Sequence, residues 1–285
     1  MEFKKIGVVG AGMMGAEIAL CFARKGMNVV LSDINEELAA KGKEKQALVL
    51  EKNVKKGRIT HAEKEATLAK VCTTADLSAM RDCDLVIEAV LEVLEVKHDT
   101  YRQLDEICKP ETVIASNTSS ISITKLAAAV SKERQERFIG MHFNSPASVM
   151  KLVEVIPALL TEEKIVQAVI DLLGEIGKEP VKVKDVVGFA LNRLFHIFYL
   201  EACRLVEEGV CTVEDVDKIC LYGLGHPVGI LKLIDNFGHD LNLNIDNILF
   251  DAYGERFRPS AYMQRLYDAG HLGKKSGIGF YNYEK

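Results

Sequence analysis

The sequence predicts an α/β fold built on a largely parallel sheet, followed by a smaller all-α domain. Three observations carry that reading. Short β-branched runs alternate with longer helical stretches through the first 185 residues. A glycine-rich turn lies directly between the first such run and the first helix. After Asp185 strand character disappears.

The first strand is expected at Lys5–Val9, followed at once by Gly10-Ala11-Gly12-Met13-Met14-Gly15 and a helical stretch to Gly26. This is G-x-G-x-x-G with a strand before it and a helix after it, the context of a Rossmann-type dinucleotide-binding domain. Gly10 permits the tight turn, Gly12 lets the backbone approach a pyrophosphate, and Gly15 lets the helix pack closely on the strand. The helix N-terminus then offers unpaired N–H groups to the anion. A second strand, Asn28–Ser32, ends in Asp33, 18 residues after Gly15. An acid there accepts hydrogen bonds from a ribose 2′-hydroxyl and repels a 2′-phosphate, so the expected cofactor is NAD.

Further strands are expected at Asp84–Glu88, Thr112–Ala115, Phe138–His142, Lys151–Ile156 and Pro180–Lys184. Strand alternation places Glu154 on one face with Met150, Leu152 and Ile156. A carboxylate on an apolar face is costly unless it is paired, and His142, ending the preceding strand, is the nearest partner. A histidine so held suits a general base, because the carboxylate fixes its tautomer and stabilises the imidazolium. Ser116-Asn117-Thr118-Ser119-Ser120 follows the apolar strand Thr112–Ala115, where ligands bind in open α/β sheets. The same serines also suit the cap of a helix from Ile121 onward.

Beyond Asp185, Val186–Val206 reads as one long apolar helix, and Thr212-Val213-Glu214-Asp215 has the form of a capping box opening another. The domains are therefore placed at 1–185 and 186–285. A helix apolar nearly all round must be buried on several sides, and packing on a second copy would make this domain the interface of a homodimer. Asn192 inside that helix needs a partner for its amide, and a substrate oxygen is one candidate.

Composition narrows the function. The 285 residues are 48% hydrophobic and carry a net charge of −5, which argues against a nucleic-acid binder. No apolar run approaches the ~18 residues of a membrane span, and the glycines near the N-terminus interrupt what a signal peptide would need. Seven scattered cysteines without a C-x-x-C fit reduced core thiols of a cytoplasmic protein, with no metal site.

Over essentially its whole length the chain resembles the short-chain L-3-hydroxyacyl-CoA dehydrogenases, and within them the bacterial 3-hydroxybutyryl-CoA dehydrogenases. The resemblance rests on Gly10 to Gly15, Val86-Ile87-Glu88-Ala89, Ala115 to Ser120, Met150 to Val155, Asn192-Arg193, Gly225-His226-Pro227 and Gly273 to Gly277. It implies that His142 is the base for the C3 hydroxyl, that Glu154 orients it, and that Ser119 and Asn192 hydrogen-bond the substrate oxygen. It also implies that Glu92, Lys97 and Lys275, with Met13 and Met14 of the glycine turn, contact NAD. Lys52 and Lys56 match the family's CoA-contacting lysines. They lie in a stretch, 41–58, where seven basic side chains face two glutamates, and their i, i+4 spacing puts them on one helix face.

Several positions depart from the family pattern. Asn144 and Ser145 follow His142 and Phe143, with Ser145 where the family has an asparagine touching cofactor and substrate. His196, Ile230 and His239 are further departures; His196 reads best as a core histidine bonded to a carbonyl. The expected reaction is NAD-dependent interconversion of (S)-3-hydroxyacyl-CoA, most simply 3-hydroxybutyryl-CoA, and 3-oxoacyl-CoA. A dehydrogenase of another 3-hydroxy acid or thioester, and a weakly catalytic, crystallin-like NAD-binding dimer, are the alternatives.

Overall fold

Parallel pairing organises the first part of the computed structural model, which describes residues 1–284. Eight strands form one sheet: β1 (Lys5–Val9), β2 (Asn28–Ser32), β3 (Val71–Thr74), β4 (Leu85–Glu88), β5 (Val113–Ser116), β6 (Phe138–Phe143), β7 (Leu152–Pro157) and β8 (Glu179–Lys182). Their order is β3-β2-β1-β4-β5-β6-β7-β8. All neighbours are parallel except β6 and β7, which run antiparallel. The chain leaves β1 for β2 and β3 on one side and returns to β4 on the other. The carboxyl ends of β1 and β4 therefore flank the crevice where such sheets bind ligands.

Helices α1 (Met13–Ala23), α2 (Glu36–Lys55), α3 (His61–Ala69), α4 (Leu94–Ile107), α5 (Ile123–Ala127), α6 (Lys132–Gln135) and α7 (Glu163–Glu175) make the connections. β1 and β2 form over the residues expected, and the later strands differ from the expected bounds by one or two residues. β3 was not expected. It is a four-residue edge strand with only Val71 buried, too short and too exposed to show a pattern. The core joins side chains such as Ile18, Leu31, Ile87, Val153 and Val169, all essentially inaccessible. Each such burial is worth roughly 1.5–3 kcal/mol. At Gly140 on β6 a Cβ would lie 2.7 Å from Ile123 Cδ1 and 3.0 Å from Ile156 Cβ, so the glycine lets α5 sit directly on the sheet.

β8 forms the outer edge. Glu179 N donates to Lys151 O and Val183 N to Val155 O, each at 2.9 Å, with Pro180 between them.

A second unit begins at Val187, after a first of Met1–Val186. It is helical: α8 (Leu191–Glu207), α9 (Val213–Lys218), α10 (Ile230–Phe237), α11 (His239–Tyr253) and α12 (Ala261–Asp268). α8 starts five residues later than the apolar run suggested, because Gly188 (φ 71°) and Phe189 (φ 48°) are left-handed and cannot lie in a right-handed helix. Within this chain α8 is buried on one side: Tyr199, Leu200, Ala202 and Cys203 are covered, while Leu194 is 69% exposed. Thr212 caps α9 as its sequence suggested, accepting from Asp215 N at 3.2 Å.

Three buried carboxylates knit this unit, and Asp217 accepts from Leu231 N, Lys232 N and the Tyr281 hydroxyl. Asp246 accepts from the Tyr199 hydroxyl and pairs with His196 Nδ1 at 2.7 Å, so His196 is a core histidine held by a carboxylate rather than by a carbonyl. Burial pushes the Asp246 carboxyl above its usual range, against the pull of His196. Asp235 binds His239 Nε2 at 2.7 Å and accepts from Phe280 N, Tyr281 N and the Tyr283 hydroxyl. Burial also pushes the Cys83 and Cys203 thiols up to about 12, which leaves them inert. Among the described residues no helix is long and apolar enough to cross a membrane.

Candidate active site

Gly10 adopts φ 98°, and a Cβ there would lie 2.5 Å from Ala89 O at the end of β4. A Cβ on Gly15 would run into Gly10 O, whereas one on Gly12 would meet nothing within 4 Å. Two glycines are thus required by close backbone approach, and the third faces open space where a pyrophosphate would sit. No side chain caps α1. Asp33 is fixed by two backbone amides, accepting from Ala11 N at 2.7 Å and Ile34 N at 2.8 Å. It lies on a groove of about 530 Å³ whose walls include Gly12, Ile34, Leu38, Val90 and Val96. An apolar slot with a carboxylate at one side and a bare glycine turn at the other fits the adenosine and pyrophosphate of NAD.

The catalytic candidates of the sheet converge. β6 and β7 pair so that His142 stands opposite Glu154, which puts both side chains on one face. His142 Nδ1 lies 2.8 Å from Glu154 Oε2, and both residues are buried. His142 Nε2 lies 3.1 Å from Ser119 Oγ, in the loop after β5. A carboxylate, an imidazole and a hydroxyl form one line, with the imidazole able to take up or release a proton on the serine side. The serines do not cap the following helix: Ser122 caps α5, accepting from Lys125 N at 3.2 Å.

A second polar group supports this line. Glu88, the last residue of β4, is fully buried. Its Oε1 lies 2.7 Å from Lys97 Nζ and accepts from Val90 N at 2.7 Å; its Oε2 accepts from the Tyr101 hydroxyl and from Ser116 Oγ. Lys97 is 1% exposed and also lies 3.1 Å from Glu92 Oε2. Asn117 Oδ1 accepts from Phe143 N at 2.9 Å, tying the serine loop to the residue after His142. The positioning work of Glu88, Tyr101 and Asn117 was not read from the sequence. Glu88, unlike Glu154 in the middle of its strand, closes an apolar strand.

The remaining candidates are spread along the chain. Ser145 is exposed in the turn after β6, and Asn144 Nδ2 donates to Leu152 O at 3.2 Å. Met13 is 67% exposed at the start of α1, beside the half-buried Met14. Lys52 and Lys56 are exposed at the C-terminal end of α2. Asn192 lies in the first turn of α8, and Lys275 pairs with Asp240 at 2.5 Å; both belong to the second unit.

Residues 5–186 match the family model described as the NAD-binding domain of 3-hydroxyacyl-CoA dehydrogenase, and residues 188–283 match that of its C-terminal domain. A probable 3-hydroxybutyryl-CoA dehydrogenase of Deinococcus radiodurans is 42% identical, over 98% of this chain and all of its own length. A 3-hydroxyadipyl-CoA dehydrogenase of Escherichia coli is 40% identical over 99% of this chain and 60% of its own. The crystal structure of (S)-3-hydroxybutyryl-CoA dehydrogenase from Ralstonia eutropha superposes with a TM-score of 0.94 at 39% identity, covering both chains completely.

Proposed function

Because the chain belongs to the 3-hydroxyacyl-CoA dehydrogenase family, we propose that it interconverts (S)-3-hydroxybutyryl-CoA and acetoacetyl-CoA. NAD, when bound, supplies the hydride acceptor. The observation that carries the reading is the line Glu154–His142–Ser119, with 2.8 Å and 3.1 Å between successive polar atoms.

His142 Nε2 takes the C3 hydroxyl proton in oxidation and returns it in reduction. Glu154, behind the ring, holds the tautomer that leaves Nε2 available and stabilises the imidazolium. Ser119 Oγ shares the substrate oxygen with Nε2, and Asn192 supplies a carboxamide for it. Asp33 and the Gly10–Gly15 turn hold the cofactor, with Glu92, Ser145 and Lys275 as further contacts; Lys97, buried on Glu88 and Glu92, acts through Glu92. Lys52 and Lys56 take the phosphates of coenzyme A. The active form is a cytoplasmic homodimer joined through the second unit.

The reading is tested by the initial rate of NADH oxidation with acetoacetyl-CoA beside free acetoacetate. A fast rate on the thioester alone is the expected result. No rate on the thioester, or an equal rate on the free acid, rejects it. The 40% identity to a 3-hydroxyadipyl-CoA dehydrogenase favours one second reading, a different acyl group on the same chemistry. A higher kcat/KM on 3-oxoadipyl-CoA would select it.

A further inference from the structure

We propose that Glu92 is a positioning residue, whose carboxylate fixes the serine loop so that Ser119 Oγ remains on His142 Nε2, with Lys97 as its buried anchor. The inference rests on the reaction proposed above.

Beyond Asn117 the loop between β5 and α5 has no ladder to satisfy its amides, so each must find another acceptor. Asn117 N donates to Glu88 O at 2.8 Å, and Thr118 N to Ser116 Oγ at 3.2 Å, itself bonded to Glu88. The next two amides turn to Glu92. Its Oε1 accepts from Ser119 N at 2.9 Å and Ser120 N at 3.1 Å, and from the hydroxyls of Thr118 at 2.5 Å and Ser120 at 3.0 Å. One carboxylate oxygen therefore gathers the loop at the residue that faces the base.

The other oxygen is anchored. Glu92 Oε2 lies 3.1 Å from Lys97 Nζ, and the same ammonium lies 2.7 Å from Glu88 Oε1. Lys97 and Glu88 are both inaccessible to water, so this ion pair cannot swing to another partner without leaving a buried charge uncompensated. Burial pushes the Glu92 carboxyl up, but Lys97 and the loop donors outweigh it and hold it below the usual carboxylate range. The clamp therefore stays anionic at neutral pH. Lys97, its first turn of α4 and the ends of β4 and β5 form one rigid frame, from which Glu92 reaches out to set the hydroxyl. Contacts of the order of 3 Å to a reacting group are sensitive to displacements of about an ångström.

The test is a double-mutant cycle on kcat for acetoacetyl-CoA reduction, with NADH saturating in every variant and binding checked by fluorescence titration. Glu92→Ala should lower kcat roughly 10- to 100-fold when Ser119 is present. In the Ser119→Ala background the same change should cost no more than about threefold, since there is no hydroxyl left to position. Equal losses in both backgrounds, or no loss with Ser119 present, overturn the proposal. Should Glu92→Ala not fold by circular dichroism, Glu92→Asp runs the same cycle; it keeps the charge for Lys97 but falls a methylene short of the loop. A wild-type enzyme inert toward acetoacetyl-CoA would instead reject the reaction itself.

Discussion

His142 has one ring nitrogen on a carboxylate and the other on a hydroxyl, and the two contacts divide its work. In the proposed reaction the first sets the tautomer and the second faces the reacting oxygen. His142→Ala should therefore lower kcat by roughly 10²–10⁴-fold, the usual worth of a positioned acid or base. NADH affinity should hardly change, because the Gly10–Gly15 turn and Asp33 follow other strands, β1 and β2. Steady-state rates with a fluorescence titration check both halves, and turnover within a few-fold of wild type would remove His142 from the mechanism. The His142–Glu154 pair was legible because strand alternation exposes a misplaced carboxylate. Its serine neighbour was legible only as a polar cluster at a strand end, since the 3.1 Å contact joins residues 23 apart in the chain. Glu88 was passed over because it closes its strand, where a charged residue looks ordinary. Only the structure shows it fully buried against Lys97.

Elements were read best where glycine and alternation act together. β1, the turn after it and β2 show this, because close backbone approach at Gly10 and Gly15 leaves no other residue type usable. β3 escaped because four residues, one of them buried, carry no periodic signal. α8 was drawn too long because hydrophobicity continues through Val186 to Phe189 while the backbone turns left-handed at Gly188 and Phe189. Packing at β6 gives the matching prediction. A methyl group at Gly140 would press on Ile123 and Ile156, whose own side chains are fully buried and have nowhere to move. Gly140→Ala should cost about 1–3 kcal/mol of stability, as overpacking does, and lower the urea midpoint with an unchanged m-value. A wild-type midpoint would mean that α5 does not rest on this strand.

The composition of the chain shifts near residue 186, and the shift is legible because parallel strands demand β-branched runs that helices do not. What covers the second unit was not visible, since the apolar side chains of α8 serve the unit's own core as well as its surface. Leu194, Ile219, Tyr222 and Leu224 are 53–86% exposed on that unit, large apolar side chains that a second copy would cover in the proposed dimer. Light scattering at micromolar concentration should give twice the 31.5 kDa chain mass, and Tyr222→Glu with Leu224→Glu should halve it. A wild-type mass of one chain would reject the dimer. The far edge of the sheet meets the opposite requirement. In β8 the amides of Glu179 and Val183 point inward to β7, so by strand alternation the position of Pro180 points outward. Proline has no N–H to offer there, and the neighbouring Lys182 keeps a charge at the rim, paired with Glu163. An eight-stranded sheet with a free margin is a template on which other chains can polymerise. Here one of the two outward positions of the strand, Pro180, has no donor to give, and the other, Lys182, carries a charge, so pairing through this side is disfavoured.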